Sequence, residues 1–338
     1  MTATKHAVCV GLGNIGSALV ELLARLAVIC RLTLVDRDAY EEKNLYTQMI
    51  SSSDVGKSKA VVQAAQISRI RPELQVSAIH DAIENVPPGR LRADVMLSCL
   101  DSKYARQYVN QVAFRLGVPW IDAGVNGEGL LARVNIYMPS EENACCIECA
   151  WSERDYQTLD VPRPCGGAAA PTNAPAYLGS LAAALQAAEC DKLLRGSRDS
   201  VNCEILVDLA THKLFKTSYR RTAGCRFDHR TWTVEPLDAR LTVAEALKLA
   251  GGALRVEGKS FATRLRCRCG VLKPVFCLAG RLPETDRVCP NCGEKMQHTG
   301  FDSIPSLTQP TSLTLSNIGL LPGDMLITEA NRCLEVTV

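Results

Sequence analysis

The sequence predicts an α/β protein: a doubly wound, mostly parallel sheet followed by a smaller, cysteine-rich C-terminal domain. Three observations carry that prediction. Apolar, strand-length runs alternate with helix-length stretches over residues 5–140, the rhythm of strand–helix–strand units. A glycine turn, Gly11-Leu12-Gly13-Asn14-Ile15-Gly16, directly follows the first apolar run, Ala7-Val8-Cys9-Val10. Beyond residue 235 the rhythm stops, and closely spaced cysteines take over.

Each element follows in order. Residues 8–10 form a strand, and residues 15–26 a helix with Leu19, Leu22, Leu23 and Leu26 on one face. Residues 32–35 give the next strand, which ends at Asp36. Residues 56–69 read as a helix carrying Val61, Val62, Ala65 and Ile67. Residues 74–79 and the apolar run 95–99 are strands, and a helix over 103–116 leads to a strand at 118–122. This is a Rossmann-like order, with ligands expected at the strand C-termini. Past Gly129, residues 131–138 are β-like and residues 145–149 make a knuckle. Residues 155–175, rich in Pro, Gly and Ala, read as a mobile crossover loop. Residues 178–194 read as a clean amphipathic helix. The expected domains are 1–234 and 235–338, with short strands and turns over 313–338 closing the second.

Composition narrows the function classes. The chain has 338 residues, 47% hydrophobic and 22% charged, an ordinary balance for a soluble globular protein. A net charge of +2 gives no global basicity to argue for nucleic acid or a membrane surface. No signal peptide or membrane span is expected. The 16 cysteines fit a reducing cytoplasm with structural zinc better than a disulfide framework, because several fall in metal-ligand pairs. Cys267-x-Cys269-Gly270 and Cys289-Pro290-Asn291-Cys292-Gly293 form two knuckles of a zinc-ribbon type, with Cys277 as a possible substitute for one ligand.

The glycine turn with Asp36 one strand later is a dinucleotide-type fingerprint. Glycines permit a tight turn, a helix N-terminus meets phosphate, and a carboxylate meets ribose hydroxyls. Taken singly, the same residues serve packing or NAD equally well, and Asp101 could simply cap the helix after it. What a dehydrogenase does not need is the polar cluster that follows: Asp36-Arg37-Asp38, Asn44-Leu45-Tyr46-Thr47-Gln48, and Asp54-Val55-Gly56-Lys57-Ser58-Lys59. That cluster favours ATP.

With Cys99-Leu100-Asp101 added, these motifs stand in the order and spacing of a known family. The chain resembles the ubiquitin-activating enzyme superfamily, the ThiF/MoeB/HesA type of adenylyltransferase, over roughly residues 5–230. The resemblance implies ATP and Mg²⁺, and adenylation of the C-terminal glycine of a small β-grasp protein, ubiquitin-like or sulfur-carrier. It implies that Gly11, Gly13, Asn14 and Gly16 let the backbone approach the phosphates and that Asp36, with Asp38, takes the ribose side. Asn44 and Gln48 would position phosphates, Lys59 would neutralise their charge, Asp101 would hold Mg²⁺, and Arg106 would support its loop. It further implies a structural zinc site of Cys146, Cys149, Cys225 and His229, with Cys145 a rival ligand, and makes Cys165 in the crossover loop the acceptor for a thioester.

The resemblance also implies a dimer, homo- or heteromeric, and leaves the C-terminal domain to bind a partner such as a conjugating enzyme. Where the family carries arginine, this chain has Thr47, and no N-terminal extension precedes the first strand to supply a further arginine. Either Arg37, Lys43 or Lys57 compensates, a partner supplies the charge, or a second reading applies: a catalytically weak or inactive subunit that scaffolds an active partner. An NAD-dependent dehydrogenase stands third.

Overall fold

The computed structural model describes residues 4–159, 174–304 and 312–338. It forms two compact units, Met1–Val86 with Leu91–Thr231, and Pro87–Arg90 with Trp232–Val338. A division at residue 234, continuous in sequence, was the expectation. The strand Val234–Asp238 instead pairs in parallel with Cys333–Thr337, and the Gly89 amide donates to the Gly323 carbonyl at 2.8 Å, so both segments belong with the C-terminal unit.

The first unit is built on β1 (Lys5–Val10), α1 (Asn14–Ala24), β2 (Ile29–Val35), α2 (Lys59–Ile70), β3 (Gln75–Ile79), β4 (Val95–Ser98), α3 (Lys103–Leu116) and β5 (Trp120–Asn126). β6 (Leu131–Tyr137), the short α4 (Glu153–Gln157), α5 (Ala176–Leu194), β7 (Cys203–Asp208) and β8 (Lys213–Ser218) complete it. The sheet order is β3-β2-β1-β4-β5-β6-β7-β8. The first five strands are parallel, and β6 to β8 add an antiparallel extension. Ala7, Val8, Cys9 and Val10 are buried because α1, α2 and α5 cover one face of the sheet and α3 the other, as continuous apolar strands require.

Several elements depart from expectation for identifiable reasons. α2 begins at Lys59, not at 56, because Gly56 has φ +83°, a left-handed conformation that cannot continue a helix. Its inward side is Ala60, Val62, Gln63 and Ile67, while Val61 and Ala65 face solvent. α5 buries Leu178, Ala182, Gln186 and Cys190, yet Ala184 and Ala188 on its outer side are equally apolar and exposed. It is amphipathic in placement but not in composition. The segment expected to be a loop from 155 opens inside α4, where Asp155 accepts from the Ser152 amide at 2.9 Å. β8 is exposed along its length, an edge strand carrying Lys213 and Lys216 as edge strands often do. That exposure hid it from a reading based on apolar alternation.

The second unit contains β9 (Val234–Asp238), α6 (Val243–Ala250), β10 (Leu254–Val256), β11 (Phe261–Arg266), β12 (Leu272–Leu278), β13 (Gln297–Phe301), β14 (Ser303–Ile304), β15 (Met325–Thr328) and β16 (Cys333–Thr337). These make a five-stranded sheet, β14-β10-β15-β16-β9, and a three-stranded one, β12-β11-β13. α6 went unread in the sequence although its signals are present. Thr242 and Glu245 form a reciprocal capping box, and Gly251 closes the helix at φ +73°. Asp324 is fully buried and bridged by Arg281 and Lys259, with the Leu321 amide donating to it at 2.7 Å. Among the described residues no helix is long and apolar enough to cross a membrane.

Candidate active site and metal clusters

The turn between β1 and α1 is shaped by close backbone contacts. A Cβ on Gly11, which has φ +87°, would lie 2.7 Å from the Cys99 carbonyl oxygen, and one on Gly16 would lie 1.9 Å from the Gly11 oxygen. Both must be glycine for the chain to fold onto itself. Gly13 differs: a Cβ there would meet only Gln48 Nε2, at 4.0 Å. Packing does not demand glycine at that position, at the N-terminus of α1, whereas close approach of a ligand would.

Asp36 directly follows β2 and is buried. Its Oδ2 accepts from the Leu12 amide at 2.6 Å and its Oδ1 from the Asp38 amide at 2.8 Å, so the carboxylate also holds the turn in shape. Burial pushes its pKa up, against the pull of the nearby Lys59 ammonium. Asn14, at the start of α1, directs its amide to the Ala174 carbonyl at 2.8 Å, and its side chain fills the notch that Gly179 leaves on α5. It therefore ties α1 to the start of α5.

The second polar cluster folds back onto the turn. Asn44 caps its own 3₁₀ turn by accepting from the Glu41 amide at 2.8 Å. The Met49 amide donates to Ser17 Oγ at 3.0 Å, which seats Gln48 beside Gly13. Lys59, the first residue of α2, has a buried side chain, with Nζ 3.6 Å from Asp38 Oδ2. Beneath it lies Tyr40, fully buried, its ring centroid 5.6 Å from Nζ. Tyr40 was missed in the sequence, where nothing distinguishes it from a core aromatic.

Asp101 follows β4 and is exposed. The cap of α3 is Ser102, whose side chain accepts from the Ala105 amide at 3.2 Å, so capping does not explain Asp101. Arg106 reaches back from α3 to the Leu100 carbonyl at 2.9 Å and the Ala123 carbonyl at 3.2 Å, and fixes the loop that carries Asp101. Beside it opens a cavity of about 390 Å³ at the end of β5, with Arg106, Gly124, Leu131, Arg133, Glu204 and Leu206 in its wall.

The two cysteine sets converge separately. Cys146, Cys149, Cys225 and His229 bring their ligand atoms within 4.8 Å of one another, as do Cys267, Cys269, Cys289 and Cys292. Distances of 3.7 Å for Cys146–Cys225 and 3.6 Å for Cys269–Cys289 match the about 3.8 Å edge of a tetrahedron with 2.3 Å Zn–S bonds. Both clusters can hold zinc, and four protein ligands leave no open position for water. The thiol of Cys146, with the Cys146 amide and His229 assisting, draws the Cys149 pKa down. His229 is steadied edge-on by Phe114, and neighbouring Asp228 is gripped by Arg115 through both oxygens. The rival Cys145 turns instead to Asn202, and Cys277 stands outside its cluster. Cys165 lies outside the described residues.

A parallel α/β sheet with a glycine turn, a buried carboxylate and a buried lysine at one strand-end crevice defines a nucleotide-binding enzyme domain. The chain belongs to the ThiF family, which matches residues 2–230. It is 28% identical over 224 residues to the sulfur carrier protein ThiS adenylyltransferase of Escherichia coli K12, spanning 64% of this chain and 82% of that protein. Its likeness to the ubiquitin-like modifier-activating enzyme 5 of Dictyostelium discoideum is 29% over 156 residues, 42% of this chain and 40% of that one. Among solved structures, E. coli MccB with ATP superposes with a TM-score of 0.54 at 25% identity, over 67% of this chain and 66% of that one. MccB with AMPCPP and MccA gives 0.53 at 26%.

Proposed function

We propose that this protein uses ATP to adenylate the C-terminal carboxylate of a small ubiquitin-like or sulfur-carrier protein. The observation that carries the reading is the return of the second cluster onto the turn: Gln48 and Lys59 beside Gly13, Leu12 and Asp36. Family membership and the names of its relatives support the same chemistry.

In this reading the triphosphate lies over the Gly13 amide and the Lys59 ammonium, which offset its charge. Asp36 and Asp38 face the ribose, and Asn44 and Gln48 steady the phosphates. The carboxylate oxygen attacks the α-phosphorus, a new C–O–P bond forms, and the bond to the departing pyrophosphate breaks. Asp101, exposed and free of capping duty, suits Mg²⁺, a hard cation that would neutralise charge on the phosphates. The cavity beside Arg106 receives the last residues of the polypeptide. In a second step the Cys165 thiolate attacks the acyl carbon and AMP leaves. Zinc at both clusters is structural. The reading includes a homo- or heterodimer, and a conjugating enzyme or similar partner at the C-terminal unit.

ATP–pyrophosphate exchange with purified candidate carriers tests this. Exchange should appear with a β-grasp protein ending in glycine and fall at least 100-fold in Asp101→Ala. Exchange without any carrier dependence, or none with every carrier tried, defeats it.

A specific observation favours the second reading, a weak subunit that scaffolds an active one. Thr47 brings no cation to the site, and two of the three candidate compensators are engaged: Lys43 is paired with Glu41 at 2.7 Å, and Arg37 lies beside Asp38 at 3.7 Å. ATP binding without exchange, unaffected by Asp101→Ala, would select it.

A further inference from the structure

We propose that Tyr40 is a positioning residue for adenylation, setting both the Gly13 amide and the Lys59 ammonium toward the nucleotide; this rests on the ATP reading above. Tyr40 is reached from three sides. Its hydroxyl donates to the Leu12 carbonyl at 3.2 Å and accepts from Gln63 Nε2 at 2.9 Å. Its own amide donates to the Lys57 carbonyl at 2.9 Å, and its carbonyl accepts from the Gly56 amide at 2.8 Å. Its ring lies under Lys59.

The peptide geometry turns these contacts into a device. The Leu12 carbonyl and the Gly13 N–H belong to one planar trans peptide, so they point in opposite directions. Drawing the carbonyl inward to Tyr40 turns the Gly13 N–H away from Tyr40. The Leu12 amide is fixed at the same time by Asp36 at 2.6 Å, so the peptides on both sides of Leu12 are held. On α2, the ring offers its electron-rich face to the Lys59 cation, while the backbone bonds to Gly56 and Lys57 fix where the helix starts. Burial pushes the phenol pKa well up, so the hydroxyl keeps its proton and stays a donor at working pH.

Packing alone would not need the hydroxyl. Phenylalanine would fill the same volume, and Gln63 Nε2 would keep only its longer bond to the Met49 carbonyl at 3.5 Å. The two roles separate by experiment. Tyr40→Phe keeps the ring under Lys59 and frees the Leu12–Gly13 peptide, while Tyr40→Leu removes both controls. Tyr40→Phe with Gln63→Leu removes that amide and separates any stability cost from the effect on nucleotide.

The measurements are ATP dissociation constants by calorimetry, kcat and KM in pyrophosphate exchange, and melting temperatures. Tyr40→Phe should raise the dissociation constant and KM for ATP roughly 5- to 10-fold, about the worth of one misaimed donor to phosphate, with kcat changed less. The Tyr40→Phe/Gln63→Leu variant should melt within a few degrees of wild type and keep the raised KM. Tyr40→Leu combined with Lys59→Ala should lose less affinity than the product of the single losses, because both act on one cation. Unchanged ATP affinity in Tyr40→Phe, or fully multiplicative losses in the double variant, overturns the proposal. A wild-type protein that binds ATP but never exchanges sinks the adenylation reading alone, since the dissociation constants still decide the role of Tyr40. Wild type that binds no ATP sinks both.

Discussion

Gly13 and Gly16 occupy one motif for different reasons. An added methyl at Gly16 would sit 1.9 Å from a backbone oxygen, and at Gly13 it would sit in space bordered by Gln48. Gly16→Ala should therefore destabilise the first unit by about 1–3 kcal/mol, the usual penalty for overpacking, as read by urea denaturation. Gly13→Ala should leave stability nearly untouched and weaken ATP binding at least tenfold. The reverse pattern would show that Gly13 serves packing. At this scale the sequence was informative about residue type and silent about partners. It marked Asp36 as a ribose carboxylate but not as the acceptor for Leu12 and Asp38. It missed Tyr40, whose value comes from a carbonyl 28 positions away.

Helix starts decide which side chains reach the crevice. Because Gly56 is left-handed and Ser58, the cap, has a non-helical ψ of 130°, α2 begins late enough to make Lys59 its first residue, buried at the turn. In α3 the cap is Ser102, which frees the preceding Asp101. Ser102→Ala should cost about 1 kcal/mol, measured by denaturant titration, while Asp101→Ala should stay within about 0.5 kcal/mol of wild type. An Asp101 variant as destabilised as Ser102→Ala would mean that this carboxylate is structural. Strand existence was legible where apolar runs are continuous, as in β1 and β4. β7, β8 and α6 were not read: β8 is exposed on both faces, and α6 spans only eight residues.

For the molecule as a whole, the two cysteine sets lie in separate units, one in each. Elemental analysis of protein purified without chelator should find about two zinc ions per chain, from four ligands per site. Cys289→Ser and His229→Ala should each remove about one, and a single zinc that survives both substitutions would contradict two sites. Within the C-terminal unit, Asp324→Ala should destabilise by about 3–5 kcal/mol, because it removes the buried carboxylate that bridges Arg281 and Lys259 and accepts from the Leu321 amide. Differential scanning calorimetry would show that loss, and an unchanged melting profile would rule it out.

By itself the sequence determined the doubly wound class, the glycine turn, the acidic strand end and the closely spaced cysteine pairs. These are local signals: periodicity, turn chemistry and ligand spacing depend on residues near in sequence, whereas joining Cys225 and His229 to Cys146 and Cys149 came from the family resemblance. Only the tertiary structure decided which groups meet beyond those the resemblance had already grouped. It seated Gln48 beside Gly13, parked Lys59 over Tyr40, tied Asn14 to the start of α5, and drew Pro87–Arg90 into the C-terminal unit. Those meetings join residues tens of positions apart through packing across the sheet, and spacing along the chain carries no record of them.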